Sequence, residues 1–511
     1  MGPKLFRYSL LLFLLGGFER VVGQTRGDLV AGGRGLGQPA ENFAVGNRSM
    51  GWDTENFAVF NRSMGHAAED SMLIRRLADV ILTDGKAYGD LKVLTKEIGP
   101  RLSGSIGYYK AEKWGQDALR NAQADKVYLQ ECMVPHWVRG GKDRASTLSW
   151  GFTEWVPRRR IHFDVLALGN SVGTGKKGIE APVILIHDFD ELERRKNEIK
   201  GKIVFYNYKF NSLFVETFRA YGDAVRYRVQ GPSRAAKYGA VGVIVRTMGE
   251  GVDNNPHTGS LAYNDSFPKI PAVAIGLQDA DMFAQAFEGG RQLPVYLRTM
   301  GKMLPDTIAH NVIGELRGSE FPDQYITVGG HLDSWDPAEG AQDDGAGCVQ
   351  SIEVLRALKA IGCKPRHTIR VVLFANEENG ARGGRKYAEA AKAAGEKHIL
   401  GFESDAGGFT PRGFSLSLND TQLAAARPWI KLLQPYGVYE IEKGGGGTDV
   451  DSLGPQVGAV VGELRPDSQR YFDLHHSRAD VLEYVNKREL ELGAINMAAL
   501  IYLVDKYGFG E

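Results

Sequence analysis

An α/β domain split by a β-rich insert is the fold class this sequence predicts, on three observations. From about residue 304 to the C-terminus, apolar runs of strand length alternate with helical patterns, as in a sheet covered by helices. Between Pro157 and Met303 that alternation gives way to short β-rich runs set off by turn residues: "HFDVLALGNS", "APVILIHDF", "GKIVFYNY", "YGAVGVIVRT" and "IPAVAIG". Before the insert, from Glu69, the pattern is again helical, so part of the α/β domain precedes it.

Composition fits such an architecture and excludes several function classes. With 511 residues, 43% of them hydrophobic, the chain can bury two or three cores. Its 62 basic and 62 acidic residues cancel without a long basic run, which argues against nucleic acid or an anionic membrane as partner. Three cysteines allow one bridge at most. Cys348 opens a helical apolar pattern with Ile352 and Leu355, so it reads as a small buried hydrophobe and not as a catalytic thiol.

Taken in order, residues 1–23 read as a secretory signal peptide: Lys4 and Arg7 precede an apolar run too short to span a bilayer. The mature chain is therefore expected to be secreted or lysosomal and free of the membrane, with sequons at Asn47, Asn61, Asn264 and Asn419. Residues 24–68 are Gly-rich and carry "ENFAVGNRSMG" and then "ENFAVFNRSMG", a duplication too short to bury a core, expected to be a pro-segment or linker. Residues 69–156 form the first part of the α/β domain: helices in "SMLIRRLADVILTDGKAYGDLKVLTKEI" and "GPRLSGSIGYYKAEKWGQDALRNA", then a strand in "DKVYLQECMV". The insert is set at 157–303 and the second part at 304–511.

The stretch "GGHLDSWDPAEGAQDDGAG", 329–347, crowds one histidine and five carboxylates together. "QYITVGGH" reads as a buried strand ending on His331, and "DDGAGCVQSIEVLRALKA" as a helix with Asp343 and Asp344 at its start. Helix capping accounts for one such acid but not for the rest. "HTIRVVLFANEENG" delivers Glu377 and Glu378 at the end of another strand, and "ILGFESDAGG" delivers Asp405. Ligands of open α/β sheets gather at the carboxyl ends of the strands, so these groups converge there, with His475 and His476 of "YFDLHHSRAD" as a further pair. Carboxylates buried together cost several kcal/mol each unless a cation compensates, and Lys and Arg are scarce in these motifs. A metal is the natural cation. Histidines among oxygen ligands suit zinc better than manganese or cobalt, and two ions sharing one carboxylate use the whole set.

In this order, "GGHLDSWD", "GAQDDGAG", "NEENG", "ESDAGG" and "HHSRAD" resemble the motifs of the co-catalytic two-zinc exopeptidases related to aminopeptidase Y. In the insert, "GKIVFYN", "AAKYGAVGVIVR", "PHTG" and "KIPAVAI" resemble the protease-associated domain. The resemblance covers roughly residues 69 to 505 and implies the zinc exopeptidase fold: a mixed central sheet flanked by helices, with a protease-associated-like insert.

It also implies two zinc ions per chain, with Asp343 bridging, His331 and Asp405 completing one position, and Glu378 and His476 the other. Asp333 would orient the His331 imidazole, and Glu377 would move the proton from the attacking water to the leaving amine. The implied reaction is hydrolysis of dipeptides or short peptides by water activated between the metals, in a chain that is a homodimer like its relatives. "NEENGARGG" is nearer the family's bacterial aminopeptidases, which keeps an aminopeptidase on longer peptides as the alternative. An inactive receptor-like ectodomain would have lost metal ligands, and a glutaminyl cyclase would use a single zinc. Neighbours on an extended segment point to opposite sides, so His475 is expected off the metal, either donating to the oxyanion or packed beside the site. "GGGGTDVDSLGP" reads by composition as a flexible loop.

Overall fold

A computed structural model describes residues 54–148, 159–288 and 294–510. The expected signal peptide and the first copy of the repeat lie outside these residues. The chain divides into Met1–Phe60, described only from Thr54, and one compact unit, Asn61–Glu511. Among the described residues no helix is long and apolar enough to cross a membrane.

The compact unit contains two eight-stranded sheets. The main sheet comprises β1 (Lys126–Val138), β2 (Lys302–Leu316), β3 (Phe321–His331), β4 (His367–Phe374), β5 (Lys397–Glu403), β6 (Pro411–Leu416), β7 (Glu440–Lys443) and β8 (Val460–Pro466). Their spatial order is β1-β2-β4-β3-β5-β8-β6-β7. The four central strands, β4, β3, β5 and β8, run parallel, while β1, β2 and β6 pair antiparallel, so the sheet is mixed as expected. Every residue of β4 is buried, the mark of a parallel strand covered on both faces.

Alternation along the strands assigns side chains to two layers. Val312, Val371 and Leu373 share a core with α1 (Thr54–Asp84), α2 (Ile106–Asn121), α3 (Ala346–Ala360) and α5 (Lys487–Tyr507). Ile313, Val372 and Phe374 face the other way, onto α4 (Arg382–Ala394). The polar ends of the parallel strands are thereby left at one rim of a sheet sandwiched between helices.

The second sheet holds the five β-rich runs as strands, and its middle, 179–186, 203–206, 242–246 and 272–275, is parallel and flanked by helices. It also takes in Arg144–Leu148, which pairs antiparallel with Arg160–Phe163 and Pro294–Arg298. The boundary set at 157 therefore falls too late: "RASTL" reads as a polar connector because its Ser and Thr are held by cross-strand pairing and not by an apolar pattern. Helix α1 begins at Thr54, so the last fifteen residues of the segment 24–68 are helical and not linker. No proline interrupts 54–84, so the helical pattern read from Glu69 continues back through the second repeat copy.

Candidate metal centre

Strand register brings the sequence-predicted residues to one rim. His331 ends β3 opposite Phe374 of β4, so the Glu377 and Glu378 that follow β4 lie beside it. Gly329 is opposite Glu403 of β5, two residues before Asp405. Asp343 comes back to this rim on the 332–345 loop, which three buried groups fix in place. The guanidinium of Arg101, wholly buried, donates to the carbonyls of Leu332 (2.6 Å), Glu339 (2.5 Å) and Gly340 (2.8 Å). Asp480 accepts from the backbone N–H groups of Ala341 (3.1 Å), Gln342 (2.6 Å) and Asp343 (3.2 Å). Asp344 accepts from the N–H of His331 (3.0 Å) and of Gly347 (2.9 Å), pinning the strand end to the start of α3. Gly330 is required there, since a Cβ would fall 2.2 Å from Asp344 Oδ2. Of the two adjacent aspartates, then, Asp344 is the scaffold and Asp343 faces the cleft.

The Asp343 carboxylate is divided between two sets of donors. Its Oδ1 lies 3.1 Å from His331 Nε2, which in turn is 3.3 Å from Asp405 Oδ1. Its Oδ2 lies 3.2 Å from His476 Nε2, which is 3.0 Å from Glu378 Oε2. All five residues sit together, and the ion pairs of these three acids among the described residues are with histidine alone. Asp343 Oδ2 and Asp405 Oδ1 are buried without a hydrogen-bond partner. Orphaned carboxylate oxygens aimed at imidazole nitrogens are the donor set of a divalent metal and fit one well.

Electrostatics say the same. Burial pushes the Glu378 carboxyl up to about 8 and Asp405 up to about 6, with Asp343 adding to both against the opposing histidines. Burial alone would lower the two histidines, but Asp405 and Asp343 lift His331 well above its usual value, and Glu378 and Asp343 lift His476 to about 10.

Two side chains differ from expectation. His331 Nδ1 meets the backbone carbonyl of Asp333 at 3.0 Å, while the Asp333 carboxylate is 3.8 Å away and accepts instead from the N–H of Glu377 at 3.0 Å. Asp333 thus orients the imidazole through its main chain and holds the turn that presents Glu377, which is only half-buried and open to the cleft. His475 does not point away from His476: the rings stack at 3.5 Å and 20°, and His475 Nε2 is 3.7 Å from Asp343 Oδ2. The reason is backbone: His476 has φ +60°, so the segment is not extended and the alternation of sides fails. Asp343, His475 and His476 also present nitrogens and oxygens close enough to hold one ion.

Arg101 and Asp480 were not singled out by sequence, nor were Glu403 and Asp449. Glu403 Oε2 accepts from the N–H groups of Asp449 (3.0 Å) and Val450 (3.2 Å), so the Gly-rich loop is tied to the end of β5. Asp480 and Glu403 stand inside motifs already noted, "HHSRAD" and "ESDAGG", where an acid without a metal to bind was the available signal.

Comparisons with known proteins show the family and the fold. The model of Peptidase family M28 matches residues 311–501. Carboxypeptidase Q of Mus musculus is 36% identical over 420 residues, covering 82% of this chain and 85% of its own, and carboxypeptidase Q of Homo sapiens is 35% identical over the same span. The crystal structure of a peptidase M28 precursor from Shewanella amazonensis superimposes with TM-score 0.80 at 32% identity, over 86% of this chain and 97% of that one. A zinc aminopeptidase from Bacillus subtilis shares the fold, at TM-score 0.57 and 20% identity, over 81% and 93% of the two chains.

A divalent metal must displace the protons on His331 and His476. Below their raised values the affinity should therefore fall with falling pH, by about tenfold per pH unit for each proton displaced. Chelator competition at pH 6, 7 and 8 measures this; an affinity independent of pH would contradict the protonated resting site.

Proposed function

The chain belongs to peptidase family M28 and is a metallo-exopeptidase, and from that premise we propose that it hydrolyses dipeptides or short peptides at a two-zinc centre, in the manner of its carboxypeptidase Q relatives. The observation that carries this reading is the divided carboxylate of Asp343, with one histidine and one further acid on each side. Imidazole with mainly carboxylate donors suits zinc, and five side chains around one shared acid suit two ions better than one. Zinc held there supplies Lewis acidity to the scissile carbonyl and lowers the pKa of a water.

The chain's own groups do the rest. Glu377, open to the cleft and not engaged with the five ligands, takes the proton of the attacking water and returns it to the leaving amine. Asp333 aims it by fixing its backbone N–H. His475, stacked on His476 with Nε2 toward Asp343, is placed to donate to the oxyanion as charge develops. A cavity of about 300 Å³ that reaches Ala406, the residue after Asp405, is lined by Phe218, Leu464 and Pro466 together with the charged Glu442, Lys443, Glu463 and Arg465, and is read as the place for the side chain and terminus of a short peptide. The expected secretory signal and sequons support an activity outside the cell or in the lysosome, and the second sheet is read as a protease-associated-like domain.

Glu377→Gln should leave metal content intact and lower kcat by at least about 10²-fold, whereas Glu378→Gln should lose metal. Equal metal loss in both would reverse the assignment. His475→Phe should lower kcat by about 10²-fold with metal content and KM little changed. An unchanged kcat would leave His475 a packing residue. Assays on free, N-blocked and C-amidated dipeptides test the substrate class. Cleavage of the free dipeptide and failure of at least one blocked form is expected, and equal rates on all three would rule out an exopeptidase acting on short peptides.

A further inference from the structure

His476 occupies the left-handed backbone region, where a β-carbon is strained, and holds its ring between Asp343 and Glu378. Within its own segment this is the third position of a turn closed by the Ser477 N–H on the Leu474 carbonyl at 3.1 Å, which sets the backbone but does not fix the ring. The contacts on its far side come instead from the second sheet's domain. The N–H of Thr258 donates to the carbonyl of His476 at 2.9 Å, and the Thr258 hydroxyl is itself anchored on the Ala167 carbonyl at 2.8 Å. Arg228 Nη1 lies 3.4 Å from His476 Nδ1 and 3.4 Å from the Thr258 carbonyl, while Nη2 donates to the Tyr221 hydroxyl at 2.6 Å. The Tyr221 ring stacks on Phe472 (4.6 Å, 22°) and meets the edge of His475 (5.1 Å, 83°). Gly259, with φ +119°, lies so close to the imidazole that a Cβ would fall 2.6 Å from Nδ1 and 2.5 Å from the Arg228 guanidinium. Arg228 and Thr258 are buried, so this is a packed wall and not a surface contact.

We propose that the inserted domain is part of the metal centre: Arg228, Thr258 and Gly259 are positioning residues that hold the His476 carbonyl and wall in the far side of its imidazole, and so set the metal position it shares with Glu378. The position of His331 and Asp405 has no such dependence, because its residues are fixed by Arg101, Asp344 and the strand ends of the main sheet. The inference rests on the reading of His476 as a metal ligand in a two-zinc site. It means that the insert, beyond shaping access to the cleft, decides how tightly one of the two metals is held.

The test compares the full-length enzyme with Gly259→Ala, Arg228→Met and Arg228→Lys. Each is equilibrated with buffered zinc and followed by elemental zinc content, by the zinc affinity of each position and by melting of the metal-free protein. Gly259→Ala and Arg228→Met are expected to lose affinity at one position by tenfold or more, falling from two zinc ions toward one with the other position near wild type; the metal-free melting temperature stays near wild type in Arg228→Met and falls in the strained Gly259→Ala. Arg228→Lys, which keeps a cation able to donate to Tyr221, is expected to recover part of the loss. If Gly259→Ala does not fold, the two Arg228 variants decide the matter. Wild-type affinity at both positions in a folded Arg228→Met would overturn the proposal. So would parallel loss of both ions with a lowered metal-free melting temperature, which marks a general structural role. A wild-type enzyme that never holds a second zinc defeats the two-metal reading instead, and is recognised before any variant is measured.

Discussion

The carboxylate of Asp343 has to be shared, and much of the surrounding structure depends on how that is done. It is buried, its two oxygens face different histidines, and each histidine faces another acid. Uncompensated, charges in such a place cost several kcal/mol each, comparable with the whole net stability of about 5–15 kcal/mol of a domain. The chain therefore commits other buried groups to holding Asp343 still. Asp480 gathers three backbone N–H groups beneath it, Arg101 ties off the loop that carries it, and Asp344 joins the strand and helix on either side. Loss of the Arg101 guanidinium would take the donor from the Leu332 and Glu339 carbonyls, at about 1–3 kcal/mol for each, and leave the Gly340 carbonyl with the Gly345 N–H alone. A centre preorganised in this way can receive cations without rearranging.

The two sheets divide the work. The main sheet delivers His331, Glu377, Glu378 and Asp405 by register alone, since its parallel strands end together at one rim. The remaining histidine pair sits on a turn after β8 that no strand fixes, and there Thr258, beside the second sheet, donates to the His476 carbonyl. Ion pairs elsewhere join residues near the two sheets. Arg139 bonds Asp336 with two nitrogens (2.7 and 2.6 Å) and Asp143 with the third (3.0 Å), and Arg478 pairs with Asp164.

What was legible in the sequence follows from this division. Parallel strands read as apolar runs, so their ends, and the acids placed there, could be located from periodicity, and the family motifs supplied the remaining assignments. The five strands of the insert were legible for the same reason. Three things were hidden. The strand Arg144–Leu148 lies between two neighbours but carries Ser and Thr where an apolar run would have marked it, which left the insert boundary too late. The positive φ of His476 overrides the alternation of an extended chain, so His475 stacks on it where it was expected to point away. Arg101 reaches carbonyls more than 230 residues away, and Asp333 serves Glu377 across 44 positions, separations that no local pattern reports.

The central claim is that one carboxylate serves two metals, and counting them tests it most directly. Metal-free enzyme titrated with zinc, with bound zinc and peptidase activity read on the same samples, should reach full activity at about two ions per chain, and Asp343→Asn should weaken both positions together. Full activity with one tightly held ion, or an Asp343→Asn variant that loses one ion and keeps the other at wild-type affinity, would contradict it.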